Sequence, residues 1–556
     1  MTEPLAKNWD SRADEYDVVI VGSGYGGAIT AARLASADIV PKPSICILER
    51  GMEWTPGTFP DEPLEALEHF VNPLNPLGLY EFSQHKDISI IQGSGLGGTS
   101  LVNANVAIVP EEAVFNRDPW PAAIKVNSLL NYYEKAARTL EISEHPHGRE
   151  LLKVKALKKR ADQVSNANFG LLKLAVNFTR DGVDENGVER HPCIDCGDCV
   201  TGCNVRAKNT LYMNYLPIAK NHGAQIFTQV RVRYIEAVAS GGYRIQYERY
   251  SPRHPIPETG VMRARRMVVV SAGSLGSTEI MLRSRDHGLN LPDAVGTRFS
   301  GNGDFFGIAY NGDQQTDIMG FGNHLDEPDR AAVKAGPTIV GVIRYNRNRP
   351  LNQLMTFEDL SVPRATVEAA RRVLALLPGT DTDNRPIIDW ADNLEELRRV
   401  ARDLQFDRRG ALNHTMAYLV MAEDNAKGVM SMKDDRLTID WPHAGDLPMF
   451  DQINKEVHEH AKALGAKFIG NPAWSFLKSH HLITAHPLGG CPMGESQATG
   501  LVDDRGQVFD ASGARHRGLY IADGSIIPTA LGVNPFLTIS ALCERIAEHI
   551  VAELGQ

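Results

Sequence analysis

Four cysteines crowd one short stretch, HPCIDCGDCVTGCN, as Cys193, Cys196, Cys199 and Cys203. Their Cys-x2-Cys-x2-Cys-x3-Cys spacing is that of a bacterial iron–sulfur loop, in which thiolates converge on one cluster. The proline that usually follows the fourth cysteine is replaced by Asn204. Only one such run is present, so the fourth ligand is less firmly specified than the first three. Spacing favours an iron–sulfur cluster, 4Fe-4S or 3Fe-4S, on Cys193, Cys196, Cys199 and Cys203. A structural zinc knot or free buried thiols stay open. The other three cysteines, Cys46, Cys491 and Cys543, read as small apolar fillers. Seven cysteines, an odd number and unevenly placed, do not form an extracellular disulfide framework, which points to a cytoplasmic protein.

A second centre of chemistry lies toward the C-terminus. His486 sits in AHPLGGCPMG, a glycine-rich turn that suits neither a core strand nor a core helix. A neutral imidazole can take a proton near neutral pH, so His486 is a candidate general base. Asn534 precedes Pro535 and an apolar helical stripe through Phe536, Ile539, Leu542, Cys543, Ile546 and Ile550. It reads at minimum as the N-cap of that helix.

The elements that must position these residues are those of a nucleotide-binding fold. Tyr16–Gly22 is a run of β-branched residues fit for a buried parallel strand. Gly22-x-Gly24-x-x-Gly27 follows, then a helical AITAARLAS, then the strand SICILE ending in Glu49. In this order Gly22 allows the turn, Gly24 lets backbone N–H groups approach a pyrophosphate, and Gly27 lets helix and strand pack closely. Glu49 would accept the ribose hydroxyls. MVVVSAG, with the helical SLGSTEIMLRSR behind it, and GLYIAD return to the same domain. IFTQVRVRYIEAV and YRIQYERY, joined by Gly241-Gly242, predict one hairpin; GVMSMK and RLTIDW, joined by Asp434-Asp435, predict another. A second cluster, Gly93-x-Gly95-x-x-Gly98, lacks a helix and a distant acid. It reads as bare backbone against a bulky planar cofactor, and two glycine surfaces around one nucleotide favour FAD over NAD.

The net charge of −10 excludes an ordinary nucleic-acid binder and argues against an anionic-lipid surface. No apolar run is long enough to span a membrane, and the first residues lack a secretory signal.

The blocks VVIVGSGYGGAITAARLA, GSGLGGTSLVNANV, SAGSLGSTEIMLRSRDHG, HPLGGCPMG and GLYIADGSIIPTALGVNPFLTISALCERI together resemble the glucose–methanol–choline (GMC) flavin oxidoreductases. Within them the chain is most similar to cholesterol oxidases, with the cysteine loop as an addition. The resemblance implies an α/β chain in which a Rossmann-type FAD-binding domain is interleaved with an α+β substrate domain on an antiparallel sheet. The expected partition is 1–110, 190–310 and 481–556 for the FAD domain and 311–480 for the substrate domain. Gly22, Gly24, Gly27 and Glu49 would hold the ADP half, Val230 the adenine, Gly95, Gly98 and Asn103 the ribityl chain and ring, and Asp523 and Gly524 the pyrophosphate side. Asn534 would bond the substrate oxygen beside His486.

The implied activity is FAD-dependent oxidation of an alcohol, with His486 as base and electrons leaving through the cysteine-held cluster to an external acceptor. The Pro-, Leu- and Phe-rich stretch from Trp54 to His85 reads as a lid and favours a bulky hydrophobic alcohol, or as an ordinary packed loop. Three alternatives stay open: an oxygen-using oxidase without a cluster, a flavin enzyme of the same fold with other chemistry such as a light-driven fatty-acid decarboxylase, and a flavin/iron–sulfur electron carrier. Cholesterol oxidases that also isomerise their product carry a glutamate where this chain has Leu412, Asn413 and His414, so no isomerising step is implied.

Overall fold

The computed structural model describes residues 4–251, 254–322, 334–382, 389–404, 407–475 and 479–555. Its first sheet grows outward from the strand Glu15–Val21, every residue of which from Val18 onward is buried. That strand runs parallel to Ile45–Leu48 on one side and to the end of His254–Val270 on the other. Gln225–Phe227 and Arg515–Ile521 extend the parallel portion outward. Apolar β-branched residues buried on both faces are what a parallel sheet between helices requires. The helices Tyr25–Ser36 and Phe536–Leu554 pack together on it. The expected hairpin follows as antiparallel strands Val230–Ala237 and Tyr243–Ser251. Its first half splits at Gln229, whose φ of 63° turns the chain, so Gln225–Phe227 joins the parallel strands instead.

A second sheet of six strands is antiparallel throughout. Its order is Lys467–Ile469, Phe305–Tyr310, Met416–Ala422, Met355–Leu360, Gly341–Tyr345 and Asn168–Leu171. It has its own apolar core, centred on Phe305, Phe357, Tyr418 and Phe450. The other predicted hairpin forms as Val429–Lys433 and Arg436–Asp440, with positive φ at both Asp434 and Asp435, the turn geometry that matches strand twist. Helices Arg364–Leu376, Asp389–Asp403 and Pro448–Ala463 belong to this half of the chain. Among the described residues no helix is long and apolar enough to cross a membrane.

A candidate flavin site beside a histidine–aspartate pair

The parallel strands all end at one edge, and the predicted nucleotide residues gather there, as ligands do in open α/β sheets. Gly22 has φ +92°, and a Cβ on it would stand 2.3 Å from the Ser271 carbonyl oxygen. A Cβ on Gly26 would stand 1.4 Å from the Ala522 oxygen, and one on Gly27 would stand 2.0 Å from the Gly22 oxygen. These contacts pin the turn to the ends of two neighbouring strands. Gly24 differs: a Cβ there meets nothing within 4 Å. Its open side, at the N-terminus of helix Tyr25–Ser36, is the face a pyrophosphate would use.

Glu49 lies at the same edge, 6 % exposed. Its carboxylate accepts from the backbone N–H and hydroxyl of Ser23 and from the Gly51 N–H. From the sequence it is expected at a ribose; what the structure shows is that it braces the glycine turn. Val230 donates its N–H to the Glu49 carbonyl, so both predicted residues line the same end of the sheet.

The second glycine cluster closes on the first. Gly95, Gly97 and Gly98 all have positive φ, and a Cβ on Gly98 would approach the Gly24 Cα to 2.9 Å. The Gly97 N–H donates to the Ser23 hydroxyl. A turn at Gly98–Leu101 then delivers Asn103. Asn103 donates to the Tyr25 hydroxyl at 2.8 Å, while its buried Oδ1 has no partner among the described residues. Tyr25 in turn stacks on Phe536, with ring centroids 5.1 Å apart. Asp523 receives the Gly273 and Ser525 N–H groups and the Ser277 and Ser525 hydroxyls. Burial nevertheless pushes its carboxyl up, against those hydrogen bonds. Gly524 opens the buried turn that follows. The open side of Gly24 and the orphaned Asn103 oxygen are what a dinucleotide flavin would fill, so these residues fit FAD.

His486 follows the short strand Leu482–Thr484, which pairs with Ile88–Gly93. Its Nδ1 is 2.9 Å from Asp304 Oδ1. Asp304 Oδ2 receives the Thr484 hydroxyl and the Ala485 N–H, and the His486 N–H donates to Thr484 Oγ1. A carboxylate can only accept, so Nδ1 carries the hydrogen and Nε2 is left as the basic nitrogen. Asn534 is buried in the loop before the last helix. It does not cap that helix: Pro535 stands at the cap and no side chain closes it. The N-cap reading is therefore corrected. The amide instead donates to Glu358 Oε2 at 3.2 Å, and its Oδ1 has no partner among the described residues.

One segment, Ser300–Asp304, holds both sides of this arrangement. Asp304 orients His486. Asn302 receives the Leu531 and Gly532 N–H groups and donates to the Val533 carbonyl, fixing the loop that carries Asn534. Ser300 exchanges both backbone hydrogen bonds with Leu488, just past His486. Sequence reasoning names neither Asp304, Thr484, Asn302 nor Glu358. Each is an isolated polar residue with no local pattern, and only the fold brings it to the site.

The cysteine loop lies against the second glycine loop. Lys208, fully enclosed, donates to the carbonyls of Leu101, Asn103 and Cys199. Asn204 accepts from the Gly57 and Phe59 N–H groups and donates to the Phe59 carbonyl. It thus clamps the predicted lid stretch to the loop, and Tyr80 adds a bond to the Thr201 carbonyl. Burial, then Asp198 and the thiols of Cys193, Cys199 and Cys203, push the Cys196 thiol up. Among the described residues, however, no three His, Cys, Asp or Glu side chains are arranged to hold a metal ion. The thiols as placed do not fit a metal centre, and the cluster reading rests on spacing. Cys46, Cys491 and Cys543 are fully buried, as expected of core fillers. Two further histidines are hydrogen-bonded otherwise: His414 with the Gly312 carbonyl and His481 with the Ser89 hydroxyl.

Comparison with known proteins follows the same lines. Residues 16–300 match the N-terminal family model of GMC oxidoreductases, and residues 446–543 match the C-terminal one. A cholesterol oxidase of Acinetobacter baumannii is 27% identical, over 97% of this chain and 95% of its own length. A long-chain-alcohol oxidase of Arabidopsis thaliana is 24% identical, over 97% of this chain and 67% of its own. A formate oxidase structure from Aspergillus oryzae superposes with TM-score 0.62 at 15% identity, covering 97% of this chain and 98% of that one.

Proposed function

The chain belongs to the GMC oxidoreductases, FAD-dependent enzymes acting on CH–OH donors, and from that premise we propose that it oxidises a bulky hydrophobic alcohol of sterol type. The observation that carries this reading is the pairing of His486 with Asp304 on the segment that also fixes the Asn534 loop. Bound FAD supplies the acceptor for the hydride. His486 Nε2 takes the hydroxyl proton, because Asp304 holds the hydrogen on Nδ1 and stabilises the imidazolium that results. Asn534 has two amide hydrogens, one given to Glu358 and one left for the substrate oxygen. Asn103 and the two glycine loops are the residues that would hold the cofactor.

The apolar substrate is supported by the stretch from Trp54 to His85. Trp54, Phe59, Leu77 and Leu79 are buried there, and it is anchored through Asn204 beside the cofactor loop. The relatives named for cholesterol and for long-chain alcohols agree with an apolar substrate. Anaerobic addition of alcohols to the holoenzyme tests this. A 3-hydroxysteroid is expected to bleach the flavin at lower concentration than a sugar or a short alcohol; preference for the sugar would overturn it.

The electron acceptor separates two finer readings. The relatives carry the name oxidase, which supports oxygen. The cysteine spacing alone speaks for an iron–sulfur relay, while the thiols among the described residues are not placed to hold a metal ion. Iron and sulfide analysis of anaerobically purified protein decides. Both present, and lost in Cys196→Ser, favours the relay; FAD alone with fast reoxidation by oxygen favours the oxidase.

A further inference from the structure

One buried acid beside the site enters the mechanism above only as the partner of one Asn534 hydrogen. Glu358 sits on the strand Met355–Leu360, between Gly341–Tyr345 and Met416–Ala422, and is 0% exposed. Its neighbour Asp359 points the other way, receiving the Val340 and Gly341 N–H groups and facing the Lys153 ammonium at 3.4 Å. Among the described residues Glu358 makes no such ion pair. Its Oε2 receives Asn534 Nδ2 at 3.2 Å, and its Oε1 has no hydrogen-bond partner among the described residues.

We propose that Glu358 is a positioning residue: by taking one N–H of the Asn534 amide it fixes the direction of the other. A free carboxamide turns about its terminal bond with little preference. Anchored by one hydrogen, it presents the second in a single direction, and that is worth rate when the bonded oxygen gains charge in the transition state. The proposal rests on the reading of Asn534 as a ligand of the substrate oxygen.

The surroundings suit a neutral carboxyl. Burial pushes Glu358 well up, and Asp359 and Asp304 add to this; the Asn534 hydrogen bond and Arg344, on the neighbouring strand, oppose it. An ionised Glu358 would set a negative charge beside the oxygen from which His486 draws a proton. A neutral one accepts through its carbonyl oxygen without that repulsion.

The FAD-loaded variants E358Q, E358L and N534A test this, by the limiting rate of anaerobic flavin reduction and by the flavin absorbance change on binding the ketone product. E358Q keeps a neutral acceptor and is expected within about threefold of wild type in both. E358L is expected to slow reduction and weaken ketone binding about tenfold each, the scale of one lost hydrogen bond. The E358L/N534A double variant should be no slower than N534A. Wild-type reduction and ketone binding in E358L would overturn the inference. So would E358Q as slow as N534A, which would mean that the carboxyl acts by its proton and not by placing the amide. Normal reduction in N534A would instead overturn the reading of Asn534 itself. Should E358L fail to take up FAD, E358M replaces it with the same expected losses.

Discussion

His486 and Asp304 are joined twice. The ring nitrogen meets one carboxylate oxygen at 2.9 Å, and Thr484 bridges the other oxygen to the His486 backbone. Asp304→Asn keeps the shape of this link but puts an amide N–H where only an acceptor belongs. The ring then turns its basic nitrogen away from the substrate. Flavin reduction is expected to fall about 10²–10⁴-fold with FAD content unchanged. A rate within twofold of wild type, read by anaerobic stopped flow, would show that Asp304 does not orient the base.

The two glycines of the first turn should respond oppositely to alanine. At Gly24 a Cβ meets no protein atom, so Gly24→Ala should fold normally and bind FAD weakly. At Gly26 a Cβ would overlap the Ala522 carbonyl, so Gly26→Ala should lower the stability of the apoprotein itself. Thermal unfolding with and without FAD separates the two, and equal loss of apoprotein stability in both would contradict the assignment of Gly24 to the phosphates.

Helix Tyr25–Ser36 and the C-terminal helix are tied by Arg33, which grips the fully buried Glu544 with two nitrogens. Burial alone would raise the Glu544 carboxyl; Arg33, with Tyr215 and Lys135, outweighs it and holds the group below its ordinary value. A depressed carboxyl stabilises the fold above its unfolded pKa, and that contribution is lost as pH falls through the folded one. Arg33→Met should therefore cost about 3 kcal/mol at neutral pH, toward the low end for a broken buried pair because Lys135 and Tyr215 remain. The difference from wild type should shrink below about pH 4. A difference that stays constant down to acid, by urea unfolding, would contradict this.

What the sequence disclosed and what it hid divide along chain distance. Gly22, Gly24, Gly27 and Glu49 are legible because one strand–turn–helix–strand unit contains them. His486 and Asn534 are legible because each sits in a run whose order of residues is itself distinctive. Asp304 and Glu358 are not, because each acts on a partner more than a hundred residues away, and an acid at the start or in the middle of a strand carries no local sign of that. Asn534 misleads for a related reason. The residue before a proline at a helix start looks like a cap, yet a buried carboxyl from the other sheet claims its amide. The cysteine run shows the converse case: a strong local spacing whose side chains, as folded, do not converge on an ion.

The most direct test of the account compares wild type with His486→Asn, both loaded with FAD, mixed anaerobically with a 3-hydroxysteroid. The account predicts that the wild-type flavin bleaches within a single turnover, and that the variant keeps its cofactor and spectrum but bleaches about 10²–10⁴-fold more slowly. Equal bleaching in both would contradict it.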